Sequence, residues 1–206
     1  MNFEVVHDIQ TVYRKLVTAT SRPGTLVVLE REAKTLDVQM ECLSSTILLA
    51  RTVLDPEVTF KVIAKEEEET VSRKINQLTY SKPVDLPEAD FIFILHNASD
   101  EQIKEALNKA KVGNLLNPHE SAMIILEVPD VTKGDSMILS GPGIQQESFI
   151  SLPNVSAWLG ARNEKNIEFP LGIDMYFVDQ QDRLIALPRT TQIKENGGEI
   201  IWDMLQ

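Results

Sequence analysis

This sequence predicts an α/β fold in three layers, helix on sheet on helix around a mixed sheet, and three stretches carry that expectation. Phe91 to Leu95 is a short continuous apolar run, as in a strand covered on both faces, and Ser99 and Gln102 just beyond it make the S-x-x-Q capping box of a helix bearing Ile103, Ala106, Leu107 and Ala110. A buried strand feeding a capped helix is the building unit of α/β architecture. Phe169 to Thr191 supplies the second signal: Ile173, Met175 and Phe177 fall on one face of an extended segment, and Asp174, Tyr176 and Val178 on the other. Gln180, Gln181 and Asp182 then turn the chain, and Leu184 to Leu187 returns as a second strand, so a β-hairpin is expected. The third is the helical spacing of Ile9, Val12, Tyr13, Leu16 and Val17 near the amino end. At 206 residues and 43% hydrophobic content, the chain is long enough for one well-packed domain over residues 1–206.

In chain order, Asp8 stands where it would cap the first helix, which should end before Pro23. Ser21-Arg22-Pro23-Gly24 reads as a turn, with the proline fixing one dihedral and Gly24 free to take a positive φ, before a strand from Thr25 to Leu29. Val38 to Leu54 holds Cys42, Leu43, Ile47, Leu48 and Leu49 with few charges, the pattern of a largely buried helix. Val58, Phe60 and Val62 alternate as a strand. The acidic run Glu66 to Glu69 then reads as the solvated first turn of a helix carrying Val71, Ile75 and Leu78, where acid suits the helix dipole. Gly113 is a natural stop for the capped helix. Met123 to Val128 and Ser136 to Leu139 read as two strands joined around Lys133-Gly134-Asp135 as a hairpin, followed by a short helix from Asn154 to Arg162. An Asn196-Gly197-Gly198 turn leads to Ile200, Ile201 and Trp202, an expected edge strand.

Composition narrows the function. Thirty-one acidic against 20 basic residues give a net charge of -11, which repels polyanions and argues against nucleic-acid binding. The amino terminus, MNFEVVHDIQ, lacks the long apolar core of a signal peptide, and no apolar run approaches the ~18 residues of a membrane span, so a cytoplasmic protein without membrane contact is expected. The single Cys42 has no cysteine to pair with and reads as a small buried hydrophobe.

Asp174 and Arg189 are the one charged pair that the motifs bring together, since Pro170 and Pro188 bracket the hairpin and stop its ladder at the same end. Three readings compete. The pair is a buried structural ion pair; or Arg189 presents its planar fork to a phosphate or phosphonate, with the Thr190 and Thr191 hydroxyls completing the cradle; or Asp174 acts as a general acid or base, although no nucleophile stands beside it. Ser140-Gly141-Pro142-Gly143 reads as a tight strand connection, because Pro142 has no N–H for a phosphate. Ser21-Arg22-Pro23-Gly24 is a turn whose Arg22 joins a site only if the fold carries it to Arg189. His7, His96 and His119 share no ligand spacing, so no metal is expected. No lysine lies in a motif marking it for a pyridoxal phosphate Schiff base.

FPLGID followed by LIALPRTT, with Tyr13-Arg14-Lys15-Leu16, Ser21-Arg22-Pro23-Gly24, Ser44 to Leu49 and Ser140 to Ile144 in matching order, resembles the PhnH family, the H subunit of the bacterial carbon-phosphorus lyase. The resemblance runs from about His7 to Thr191. It implies a homodimer with the fold of pyridoxal-phosphate-dependent transferases but no cofactor, working in a complex with G, I and J subunits. That complex transfers ribose triphosphate from ATP to an alkylphosphonate. The resemblance therefore directs attention to Arg22, Gly24, Gly172, Asp174, Arg189, Thr190 and Thr191 as ligand-binding or structural positions, with a phosphonate or ATP-derived ligand as the candidate occupant. A stand-alone phosphonate- or nucleotide-binding module and a free-standing transferase are the alternatives.

Overall fold

The computed structural model describes residues 5–34, 36 and 41–195. Its helices are α1 (Val5–Ser21), α2 (Glu30–Ala33), α3 (Ser44–Val53), α4 (Glu68–Thr79), α5 (Asp100–Lys109) and α6 (Val155–Lys165). Its strands are β1 (Val27–Val28), β2 (Thr59–Ile63), β3 (Lys82–Pro83), β4 (Phe91–Ile94), β5 (Met123–Val128), β6 (Asp135–Ser140), β7 (Ser148–Leu152), β8 (Asp174–Asp179), β9 (Arg183–Leu187) and β10 (Gln192–Glu195).

Seven strands form one mixed sheet in the order β1-β9-β8-β5-β4-β2-β3. β3, β2, β4, β5 and β8 run parallel, and β9 and β1 close one side antiparallel. The parallel strands are near-continuously apolar because helices cover both faces. One face packs Val12 and Leu16 of α1, Ile47 to Ala50 of α3 and Val71 and Ile75 of α4 against Tyr176, Val178, Leu184 and Ala186. The other packs Ile103 and Leu107 of α5 and Trp158 of α6 against Met175, Phe177, Ile185 and Leu187. The expected two faces of the hairpin are thus the two halves of the core. A second, three-stranded antiparallel sheet, β10-β6-β7, adds Met137, Leu139 and Ile150 to the α5–α6 side.

Several elements differ from the sequence expectation. α1 begins at Val5, so Asp8 lies in its first turn and does not cap it; either place suits an acid near the positive helix end. The strand expected over Thr25 to Leu29 pairs only at Val27–Val28 before α2 starts. The long helix expected from Val38 begins at Ser44, with Cys42 and Leu43 ahead of it and Val38 outside the described residues. Its start is set from a distance: Glu127 on β5 accepts from Leu43 N at 2.8 Å and Thr46 Oγ1 at 2.6 Å, doing the work of a cap. Gly113 adopts φ +76, three residues past the α5 cap at Ala110, within a loop.

β5 and β6 form no hairpin. β4 and β8 already flank β5, so the chain leaves into the second sheet, its exit pinned by Val131 N on Asp179 Oδ2 (3.0 Å) and Arg183 Nη2 on Asp130 Oδ1 (2.7 Å). β7 follows the strand connection expected at Ser140 to Gly143, β10 was not expected, and the strand expected at Ile200 to Trp202 lies outside the described residues.

Trp158 is fully buried against Phe177, with ring centroids 4.8 Å apart. Trp158→Ala leaves a large cavity between α6 and the sheet, costing about 3 to 5 kcal/mol. For a chain of this size that lowers the melting temperature by roughly 6 to 20 °C, readable by circular dichroism.

Candidate functional site

The end of the β8–β9 hairpin brings Asp174 and Arg189 together as the two bracketing prolines required. Arg189 donates its backbone N–H to Asp174 Oδ1 at 2.7 Å and its Nε to both carboxylate oxygens at 3.2 and 3.3 Å. Nη2 reaches Asp174 Oδ2 and Ser121 Oγ, and Nη1 reaches the carbonyls of Pro118 (2.9 Å) and Pro170 (3.4 Å). The guanidinium's five N–H groups therefore all have acceptors within the chain. The side chains of the pair are 17% and 21% exposed, so the pair is mostly buried, short of the full burial the ion-pair reading assumed.

The neighbouring motif positions serve the same corner. Gly172 has φ +136, and a Cβ there would stand 2.3 Å from Asn166 Oδ1 and 3.2 Å from the Arg189 Cβ, which leaves room only for glycine. Asn166 in turn holds Ile173, accepting from its N–H at 2.8 Å and donating to its carbonyl. Thr190 is half-buried. Thr191 is buried, and its Oγ1 has no hydrogen-bond partner. Arg22 is exposed and lines a separate shallow groove with Pro23, Gly143 and Gln146; Arg189 is not among that groove's residues. Gly24 takes the expected positive φ, +80, and donates to Ala186 O at 3.3 Å. Ser140 to Gly143 is the β6–β7 connection, closed by Ile144 N on Gly141 O, and it packs between the two other motif turns. A Cβ on Gly141 would meet Thr190 O at 2.8 Å, and one on Gly143 would meet Ser21 O at 2.3 Å.

Sequence reasoning missed Arg162. It lies on α6 in register with Val155, Trp158 and Leu159, is 1% exposed, and donates through Nη2 to Pro188 O (2.7 Å) and Thr191 O (3.1 Å), so it shapes the Pro188–Thr191 turn. Burial pushes its guanidinium down to about 10 while Asp174 works against that, and it stays charged at neutral pH. An arginine on an otherwise apolar helical stripe was the available signal.

A second cluster went unread at the carboxyl edge of the sheet. Glu127 is buried, and its four hydrogen bonds are accepted from Leu43 N, Thr46 Oγ1, His96 N and His96 Nδ1, the last two at 3.0 Å. A carboxylate facing those donors accepts only, so Nδ1 of the half-exposed imidazole ring donates to it. Beside it, Asn97 ties the β2–α4 and β4–α5 connections through Lys65 N and Glu66 O. A cleft of about 1040 Å³ opens on the far side of Asn97, lined by Arg73 and Lys74 but also by Glu41, Glu66 and Glu67; His96 and Glu127 are not among its lining residues. The parallel strand order places the reversal of winding between β2 and β4, where ligands of open α/β sheets bind. Cys42 is half-buried, and burial pushes its thiol far up, so it is not a thiolate at neutral pH. Among the described residues no group of three His, Cys, Asp or Glu side chains could hold a metal, and no helix is long and apolar enough to cross a membrane.

The family model described as bacterial phosphonate metabolism protein (PhnH) matches residues 3–194. The chain belongs to the PhnH family. It is also similar to HtxG of Stutzerimonas stutzeri, whose name describes it as a C-P lyase subunit protein: 29% identical over 189 residues, 91% of this chain and 87% of that one. The PhnH match spans both the hairpin corner and the His96–Glu127 pair.

Two substitutions report on these clusters. Arg189→Ala strands Asp174 and frees two loops, for a loss of about 3 kcal/mol in urea unfolding, and Arg189→Lys recovers little of it because a lysine cannot span the same acceptors. Glu127→Gln turns an amide NH₂ toward two donors that need an acceptor. It should cost about 2 to 3 kcal/mol and expose amides at the start of α3 to faster hydrogen exchange.

Proposed function

We propose that this chain is an accessory, non-catalytic subunit of a carbon-phosphorus lyase core complex. In this reading it assembles in the cytoplasm as a single-domain homodimer with G, I and J subunits. The assembled complex, and not this chain alone, transfers ribose triphosphate from ATP to an alkylphosphonate. The observation that carries the reading is the PhnH match over residues 3–194, and the name of the Stutzerimonas relative points the same way. The geometry of the hairpin corner supports it. Every donor of Arg189 is spent inside the chain, which favours the structural ion pair over an anion cradle and leaves Asp174 as a carboxylate held by three donors, with the nearby Ser121 hydroxyl accepting from Arg189 Nη2. The mixed sheet with helices on both faces agrees with kinship to the pyridoxal-phosphate-dependent transferase fold without its cofactor.

A second reading is favoured by one observation, the cleft at the carboxyl edge with Arg73, Lys74 and Asn97 in its lining: the chain itself binds a small polar ligand there. Calorimetric titration of the isolated chain with ATP and with methylphosphonate tests it. Heat that disappears in Arg73→Ala would favour the second reading, and no heat from either compound would dismiss it for them.

Co-expression with carbon-phosphorus lyase G, I and J subunits, followed by size-exclusion chromatography with light scattering, tests the first. Co-elution of the chain at a fixed stoichiometry is the expected outcome. A chain that elutes apart from all three would overturn the subunit role.

A further inference from the structure

The hairpin corner does more than stiffen the chain. Arg189 ties together the loops that enter the amino ends of β5 and β8, taking Pro118 O and Ser121 Oγ from one and Pro170 O from the other. Gly172 N on Val112 O (3.1 Å) joins the same two loops, and Lys165 Nζ on Ala110 O (3.0 Å) ties the helix ends from which they leave. What they present is apolar. Leu115 and Leu116 are the central residues of a turn closed by paired hydrogen bonds between Asn114 and Asn117, and they are 67% and 91% exposed. Ile167 and Phe169 on the second loop are 81% and 74% exposed.

Turns take glycine, proline, asparagine, aspartate or serine at such positions for local reasons, and two leucines meet no such need. Nor is this the scattered apolar exposure common on protein surfaces, since two adjoining loops together hold four of the large exposed side chains. Loops already tied lose little entropy on binding. The exposed acids are Glu120 and Glu168 on the loops and Glu164 in the last turn of α6, beside the exposed His119, while Lys111 is paired with Asp90 and Lys165 is spent on a carbonyl.

We infer that loops 111–122 and 166–173 form the docking surface for a partner subunit whose contact face is apolar and flanked by lysine or arginine. This rests on the subunit reading above. Charge selects that occupant: a second copy related by a two-fold axis would set the same acidic rim against itself, whereas a basic rim is attracted and steered.

The test uses the full chain co-expressed with the G, I and J subunits. Leu116→Asp with Phe169→Asp alters two exposed side chains, so the melting temperature should hold, while association with the partner weakens by about tenfold or more. Glu164→Lys with Glu168→Lys should weaken it too, and added salt should weaken the unaltered complex. The inference is overturned if the Asp variant co-elutes as the unaltered chain does. It is overturned equally if the variant loses only self-association, which would give the surface to a second copy. An unaltered chain that binds none of these subunits would overturn the subunit reading, and this surface with it.

Discussion

Four segments of this chain converge on one guanidinium. Arg189 leaves the end of β9 and meets Asp174 at the start of β8, Pro170 just ahead of that strand, and Pro118 and Ser121 ahead of β5. Only a planar fork with five donors can satisfy acceptors spread over that many directions. The motif around it follows from that demand. Asp174 supplies the charge, Gly172 stays clear of the Arg189 side chain, and Pro188 ends the ladder while lending its carbonyl to Arg162. Remove the fork, and two loops, a strand start and a strand end lose their common anchor.

What could be read in the sequence was local. The capping box of α5, the acidic first turn of α4 and the alternating faces of β8 each depend on residues within a few positions of one another, and the structure has all three, though α4 starts at Glu68 and leaves Glu66 and Glu67 ahead of it. What could not be read depends on distant partners. α3 starts at Ser44 because Glu127 reaches it from β5, and β6 leaves the main sheet because β4 and β8 already flank β5. The Asp174–Arg189 contact was legible because one hairpin brings it about. Its reach to Pro118 and Ser121 was not, since those residues lie about seventy positions away, and the same distance problem hid His96 and Glu127 from each other.

The placement of these two clusters carries the functional argument. In open parallel sheets the carboxyl edge is where ligands are held, because the connections there leave a crevice at the switch in winding. His96, Glu127 and the cleft lie at that edge. The residues spelling the PhnH hairpin lie at the opposite, amino edge, where Asp174 opens β8 in register with Met123 at the start of β5. A motif concentrated there, with its charges neutralised within the chain, has the geometry of a device that shapes a surface. Chemistry on a small molecule would need unspent donors, and the Arg189 fork has none left to offer. In this reading the tasks separate by edge: the amino edge, tied by Arg189, bears apolar loop tips suited to another protein, and the carboxyl edge holds the cleft.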